Sequence, residues 1–232
     1  MRRTADIKRC VLPDDDIFRI LDACAARGCQ AVSFTGGEPL LLSDRLVSWI
    51  DYAGKAGIPY IRTGTNGYMF CGSDRADFTR RIRYLAERLA ATSLRNFWIS
   101  LDSADPTIHE EMRGLPGVVR GIRKALPIFH ESGIYPSANL GINRRVGGAR
   151  TAELKPAAFA CRADYLYEFH KRYAQAFEHF YRLVNGLGFT AVNTCYPMSI
   201  SDTEQNDGLN AVYAATTAED IVRYASDEKA ML

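Results

Sequence analysis

The chain has 232 residues, 47% hydrophobic and 24% charged, which suits one globular domain with a sizeable core. A formal net charge of +2, with arginines scattered in short clusters such as Arg80, Arg81 and Arg83, gives no footprint for a nucleic-acid partner. There is no apolar run of membrane-spanning length and no apolar signal core behind Met1. The six cysteines are dispersed without a C-x-x-C pair, so a reducing cytoplasmic setting without disulfides is expected.

Strand-like runs alternate with helical patterns along the chain. Asp14 follows Pro13 as a candidate cap, and Ile17, Ile20, Leu21 and Cys24 recur on one face until Gly28. Ala31-Val32-Ser33-Phe34 reads as a strand and runs into Thr35-Gly36-Gly37-Glu38-Pro39. Ser43 is a candidate cap for a second helix with Leu46, Val47, Ile50 and Ala53 inward. Residues 58–63 read as the next strand, followed by the turn formers Gly64-Thr65-Asn66-Gly67. Phe78, Ile82, Leu85 and Leu89 form a helical stripe, and Phe97-Trp98-Ile99-Ser100-Leu101 a strand leading to Asp102-Ser103.

Asp105-Pro106 opens a further helix, with a kink expected between Gly114 and Gly117 and an end at Gly133. A fourth strand is expected over residues 134–142. A long helix carrying Leu166, Phe169, Tyr173, Phe177, Phe180 and Val184 on one face is expected to stop at Gly186. Residues 189–194 read as a fifth strand, and Thr217 with Asp220 as a capping box for a last helix. Strands separated by helices imply parallel pairing through right-handed crossovers. The expected fold is α/β, a single domain over residues 1–232 that fits most of a (β/α) barrel or an open sheet. One mismatch stands out: the chain starts with a helix where such a barrel starts with a strand.

Ligands of parallel α/β folds bind beyond the carboxyl ends of the strands. Polar residues gather at those ends here: Gly36, Gly37 and Glu38; Thr65 and Asn66; Ser100 and Asp102; Asn139 or Asn143; Asn193 and Thr194. Paired glycines let a ligand approach the backbone, and the hydroxyl, amide and carboxylate groups suit an amino-acid head group or ribose. Each piece also has a plain structural reading. Gly-Gly and Thr65-Asn66-Gly67 are good turns, and Asp102 is placed to cap the following helix. Their recurrence on one face favours a small-molecule site.

Three segments, in order and spacing, resemble the radical S-adenosylmethionine (SAM) superfamily. They are Val32-Ser33-Phe34-Thr35-Gly36-Gly37-Glu38-Pro39-Leu40-Leu41; Thr65-Asn66-Gly67; and Ile99-Ser100-Leu101-Asp102-Ser103 with His109, Arg113-Gly114 and Gly117. The likeness runs from about residue 14 to residue 133 and thins towards residue 194. It implies a TIM-type (β/α)6 barrel lacking its first strand. It also implies an enzyme in which a [4Fe–4S] cluster reduces SAM to a 5′-deoxyadenosyl radical that abstracts hydrogen from an unknown small-molecule or peptide substrate.

On this resemblance Gly36, Gly37 and Glu38 would meet the SAM amino group, and Ser100 with Asp102 the ribose or carboxylate. Thr65 and Asn66 would line the site, and Asn139 or Asn143 would lie near the adenosine. A flavodoxin- or ferredoxin-type electron donor is expected, and no membrane.

The family's C-x-x-x-C-x-x-C cluster loop occurs nowhere in the sequence, and Cys10, Cys24, Cys29, Cys71, Cys161 and Cys195 do not replace it. No metal ligands are therefore expected in this chain. The cluster cysteines are expected upstream of Met1, in a longer product of which this is a piece, with the C-terminal side incomplete too. Two alternatives are a cluster-free relative that binds SAM or a nucleotide, and an unrelated barrel enzyme using Asp102 and Glu38 as acid and base. Arg144-Arg145-Val146-Gly147-Gly148 and the long helix after it are candidate substrate-side elements, unless that segment is simply a solvated loop.

Overall fold

The computed structural model describes residues 11–143 and 145–195. Cys10, Arg144 and the expected last helix from Thr217 lie outside them. Five parallel strands follow chain order across an unclosed sheet, β1 (Ala31–Phe34), β2 (Tyr60–Thr65), β3 (Leu94–Ser100), β4 (Ser137–Gly141) and β5 (Ala191–Cys195). This is the architecture of a partial TIM-type barrel. Among the described residues no helix is long and apolar enough to cross a membrane. The described residues form two compact units, those up to Ile99 with Arg120–Pro136, and Ser100–Val119 with those from Ser137 on.

The first unit holds β1, β2 and most of β3, with α1 (Asp14–Ala26), α2 (Ser43–Lys55), α3 (Phe78–Ala90) and most of α5 (Val118–Glu131). Register pairs Phe34 with Thr63, Thr63 with Phe97, and Thr65 with Ile99, so these side chains share one sheet face. Helices cover that face. Phe97 meets Phe129 of α5 at 5.3 Å between ring centroids, and Phe34 meets Trp49 of α2 at 6.2 Å. The stripe of α3 is buried as its spacing predicts: Phe78, Ile82, Leu85 and Leu89 are all at most 4% exposed. Leu46, Ile50 and Ala53 of α2 are fully buried, and Trp49 joins them.

In the second unit α4 (Pro106–Arg113) is capped by Asp105, whose Oδ1 accepts the Thr107 and Ile108 N–H groups at 2.8 and 3.3 Å. A short α6 (Ala149–Ala152) precedes α7 (Arg162–Leu187). Tyr165, Phe169, Tyr173, Phe177, Phe180, Val184 and Leu187 recur every three or four residues of α7 and are buried. Phe169 and Tyr173 stack at 4.3 Å.

Several expectations need correction. Asp14 and Ser43 do not cap. Each is the first residue of its helix, the flanking residues being Pro13 and Leu42, and neither helix has a side-chain cap bond. Asp14 instead accepts from Arg45 Nε at 3.0 Å, Arg45 Nη2 at 2.8 Å and Trp49 Nε1 at 2.8 Å, bonds that hold its carboxyl below the usual range. Ile20 is 51% exposed, so the inward face of α1 rests on Leu21. β2 starts and ends two residues later than expected, which places Thr65 in the strand, and β4 is shorter. α7 runs through Gly186 and ends at Gly188. The kink at Gly114–Gly117 is a full break between α4 and α5.

Candidate functional site

Each unit carries one cluster at the carboxyl ends of its strands. In the first, the chain leaves β1 through Gly36 and Gly37, whose φ values of +95° and +56° lie in the left-handed region that side chains disfavour. Both glycines are exposed, and nothing lies within 4 Å of where a Cβ would sit on either.

Glu38, half-buried, is the anchor behind that turn. Its Oε1 accepts the Leu40 N–H at 3.1 Å and the Thr65 hydroxyl at 2.7 Å, and its Oε2 accepts the Asn66 N–H at 2.7 Å. Thr65 is 3% exposed, and its oxygen accepts the Gly67 N–H at 3.0 Å. Asn66 Oδ1 accepts the Tyr68 N–H at 2.8 Å. One carboxylate therefore ties the end of β1 to the end of β2. Among the described residues its donors are all neutral, so its negative charge is not cancelled locally.

The second cluster begins at Ser100, half-buried at the end of β3. The Asp102 carboxylate receives a two-pronged bond from Arg113, through Nε to Oδ2 and through Nη2 to Oδ1 at 2.8 Å. His109 lies one helical turn before Arg113 on α4, so the two share a face, and it is fully buried. Its Nδ1 accepts the Asp102 N–H at 3.1 Å and lies 3.9 Å from Asp102 Oδ2. The ring proton is thereby assigned to Nε2, which has no partner among the described residues. Burial pushes the His109 pKa down to about 4 against the opposing pull of the Asp102 carboxylate. The imidazole is neutral at physiological pH.

Asn143 is 4% exposed, and its amide braces the backbone. Nδ2 donates to the carbonyls of Asp102 and Gly141, both at 2.8 Å, and Oδ1 accepts the Arg145 N–H at 2.8 Å. Asn139 is half-buried, and its carbonyl accepts the Leu101 N–H at 2.9 Å, joining β4 to the Ser100–Asp102 segment. Asn193 Nδ2 donates to Ser137 Oγ at 3.1 Å. Arg145 pairs with Glu111 at 3.1 Å.

The structure thus gathers Gly36, Gly37, Glu38, Thr65 and Asn66 in one cluster, and Ser100, Asp102 and Asn139 in the other. Asp102 does not cap α4, since Asp105 does. The sequence reading left His109 and Arg113 out of the candidate site residues. Their four-residue spacing was the available signal, but their common partner becomes visible only when α4 turns back on Asp102.

A [4Fe–4S] cluster needs three convergent thiolates. Among the described residues no group of three or more His, Cys, Asp or Glu side chains is placed to hold a metal ion. Cys24, Cys29, Cys71 and Cys161 form no disulfide, and Cys24 is hydrogen-bonded to Cys29 at the end of α1. Burial pushes the Cys24 thiol up and the bond with Cys29 adds to it, the reverse of what thiolate ligation asks. These residues do not fit the cluster. The exposed Gly36-Gly37 backbone and the polar strand ends do fit a polar nucleoside–amino-acid ligand such as SAM.

The chain is similar to a GTP 3′,8-cyclase of Mannheimia succiniciproducens, 32% identical over 127 residues, covering 53% of this chain and 34% of that protein. A probable GTP 3′,8-cyclase of Sulfolobus acidocaldarius is 28% identical over 171 residues, 67% of this chain and 50% of the relative. An AdoMet-dependent heme synthase of Nitratidesulfovibrio vulgaris is 24% identical over 130 residues, 56% of this chain and 32% of the relative. The chain therefore spans between about a third and a half of the length of these relatives. The radical SAM superfamily model matches residues 3–145, more than half of the 232, and takes in both strand-end clusters up to Asn143. This chain belongs to the radical SAM superfamily.

Proposed function

We propose that this chain is the SAM-binding part of a radical SAM enzyme acting on a small-molecule or peptide substrate. The observation that carries the reading is Glu38, which ties the exposed, side-chain-free Gly36-Gly37 turn to Thr65 and Asn66 with two hydrogen bonds and accepts a third from the Leu40 N–H. In this reading the peptide groups at Gly36 and Gly37 receive the methionine amino group, and the uncancelled charge of Glu38 favours that cation. Thr65 and Asn66 hold the turn, Ser100 offers its hydroxyl to the ribose or carboxylate, and Asn139 lies towards the adenosine. Asp102, already bonded to Arg113, acts as a neutralised pair that fixes the backbone beside Ser100. Bound SAM supplies the family's hydrogen-abstracting chemistry. The protein's part is to bind and orient it and to exclude water.

The described residues do not fit the cluster itself. A small electron-carrier protein of the flavodoxin or ferredoxin kind, in the cytoplasm, is part of the same proposal. The relatives' names point to GTP and to heme, and neither substrate is carried over. The lack of a convergent cysteine set among the described residues favours one second reading, a cluster-free relative that binds SAM or a nucleotide.

Calorimetric titration of the chain with SAM tests the first reading. Saturable binding is expected, weakened about tenfold or more by Glu38→Gln, which loses one of the two acceptor oxygens. Absence of saturable SAM binding would sink it. Anaerobic iron–sulfide reconstitution of the product of the whole reading frame that contains this chain separates the two readings. A [4Fe–4S] absorption band supports the radical enzyme; SAM binding without one supports the cluster-free relative.

A further inference from the structure

The first unit has a second sheet face, opposite to the one its helices cover. Register places Ser33 beside Arg62 and Arg62 beside Asn96, with Gly64 beside Trp98 two residues further on. Parallel strands are ordinarily apolar on both faces, and barrel interiors are filled with branched aliphatic side chains. This face instead carries a hydroxyl, a guanidinium, an amide and an indole. Arg62 and Tyr60 are exposed on it.

The arginine is held in place. Its Cζ lies 5.6 Å from the centroid of the Trp98 ring, a stacking distance. The indole itself lies across the backbone of β2, and only glycine leaves room for it. A Cβ on Gly64 would sit 2.0 Å from Trp98 Cε2. Stacking engages the flat face of the guanidinium and leaves the N–H groups on its edge. Those groups have neither an ion-pair nor a hydrogen-bond partner among the described residues. The hydroxyl of Ser33, its neighbour in register, is buried and unpartnered as well. A cation fixed by an aromatic plate, with its forked donors unused, is preorganised for an oxyanion.

We propose that Arg62, stacked on Trp98 over Gly64, binds an anionic group of the substrate, a carboxylate or a phosphate. That the anion belongs to the substrate rests on the SAM reading above. Arg62 lies three residues before Thr65, about 10 Å down the strand from the turn that Glu38 locks. The two sites are therefore separate.

Titration of the chain at constant ionic strength with sodium pyrophosphate, and separately with sodium succinate, tests the proposal, with a SAM titration run alongside. Saturable millimolar or tighter binding is expected for at least one anion. A response to pyrophosphate alone assigns a phosphate, and to succinate alone a carboxylate. Arg62→Gln should weaken that binding about tenfold or more, with Arg62→Lys in between because it keeps the charge and loses the fork. Gly64→Ala should weaken it by displacing Trp98. Arg62→Gln should leave SAM affinity unchanged and move the thermal midpoint little, since Arg62 is exposed and gives up no hydrogen bond or ion pair, only its stacking on Trp98.

Saturable binding of neither anion, or equal binding by Arg62→Gln, overturns the proposal. Arg62-dependent anion binding in a chain that fails to bind SAM leaves the anion site standing and removes the functional reading instead.

Discussion

Both strand-end clusters are built around a carboxylate, and the two are satisfied by opposite means. Among the described residues Glu38 takes only neutral donors, two backbone N–H groups and a hydroxyl, and cross-links two strand ends without a cationic partner. Asp102 takes the fork of Arg113 and sits over a fully buried neutral histidine, so its charge is cancelled where it stands. The first arrangement projects a field towards whatever occupies the open glycine turn. The second projects little and fixes the geometry of the Ser100–Asp102 segment. A carboxylate in a motif therefore does not announce its job; the donors around it do.

Acid should break the second cluster first. The folded-state pKa of His109 is about 4, below the ordinary 6.5, so between those values the unfolded chain holds a proton that the folded chain refuses. Its contribution is present in full above pH 6.5 and is lost as pH falls towards 4, a change of about 3 kcal/mol from the linkage relation. His109→Asn can keep an acceptor for the Asp102 N–H and does not titrate. Urea unfolding of both proteins from pH 7 to pH 4 should show the wild type losing about 3 kcal/mol more than the variant. Parallel pH profiles would rule out His109 as a suppressed base.

The next effect is the ion pair. Arg113→Met strips the fork from a carboxylate that is 13% exposed and should cost about 2 kcal/mol, below the range for fully buried pairs because solvent reaches Arg113. Adding Asp102→Asn removes the orphaned charge and should recover at least about half of that loss. Additive losses in the double variant would mean that the two residues stabilise the fold independently, and the contrast with Glu38 would collapse.

How far the sequence disclosed this depended on the range of the interaction. The stripe Phe78, Ile82, Leu85 and Leu89 is a local period, and burial follows from it. The Gly36-Gly37 turn was legible because left-handed backbone selects glycine. Asp14 and Ser43 misled, since a capping residue type one position inside a helix reads like a cap. For Asp14 the competing partners, Arg45 and Trp49, are 31 and 35 residues away. The bond from Thr65 to Glu38 spans 27 residues and exists only once β1 and β2 pair. α6, four residues long, is too short to show any period.

The smallest effect probes the first cluster. Thr65→Val keeps the shape of the buried side chain but removes the donor to Glu38 and the acceptor of the Gly67 N–H. It should cost about 1 to 2 kcal/mol in urea unfolding, since two groups are left short of a partner. Thr65→Ser keeps the hydroxyl and loses one buried methyl group, about 0.8 kcal/mol. The two variants therefore differ little in stability and should differ more in ligand affinity. If Glu38 acts by holding the glycine turn open, Val should weaken SAM binding several-fold more than Ser does. Equal affinities would mean that the turn holds its shape without the hydroxyl. The charge of Glu38, and not its cross-link, would then be what the first cluster contributes.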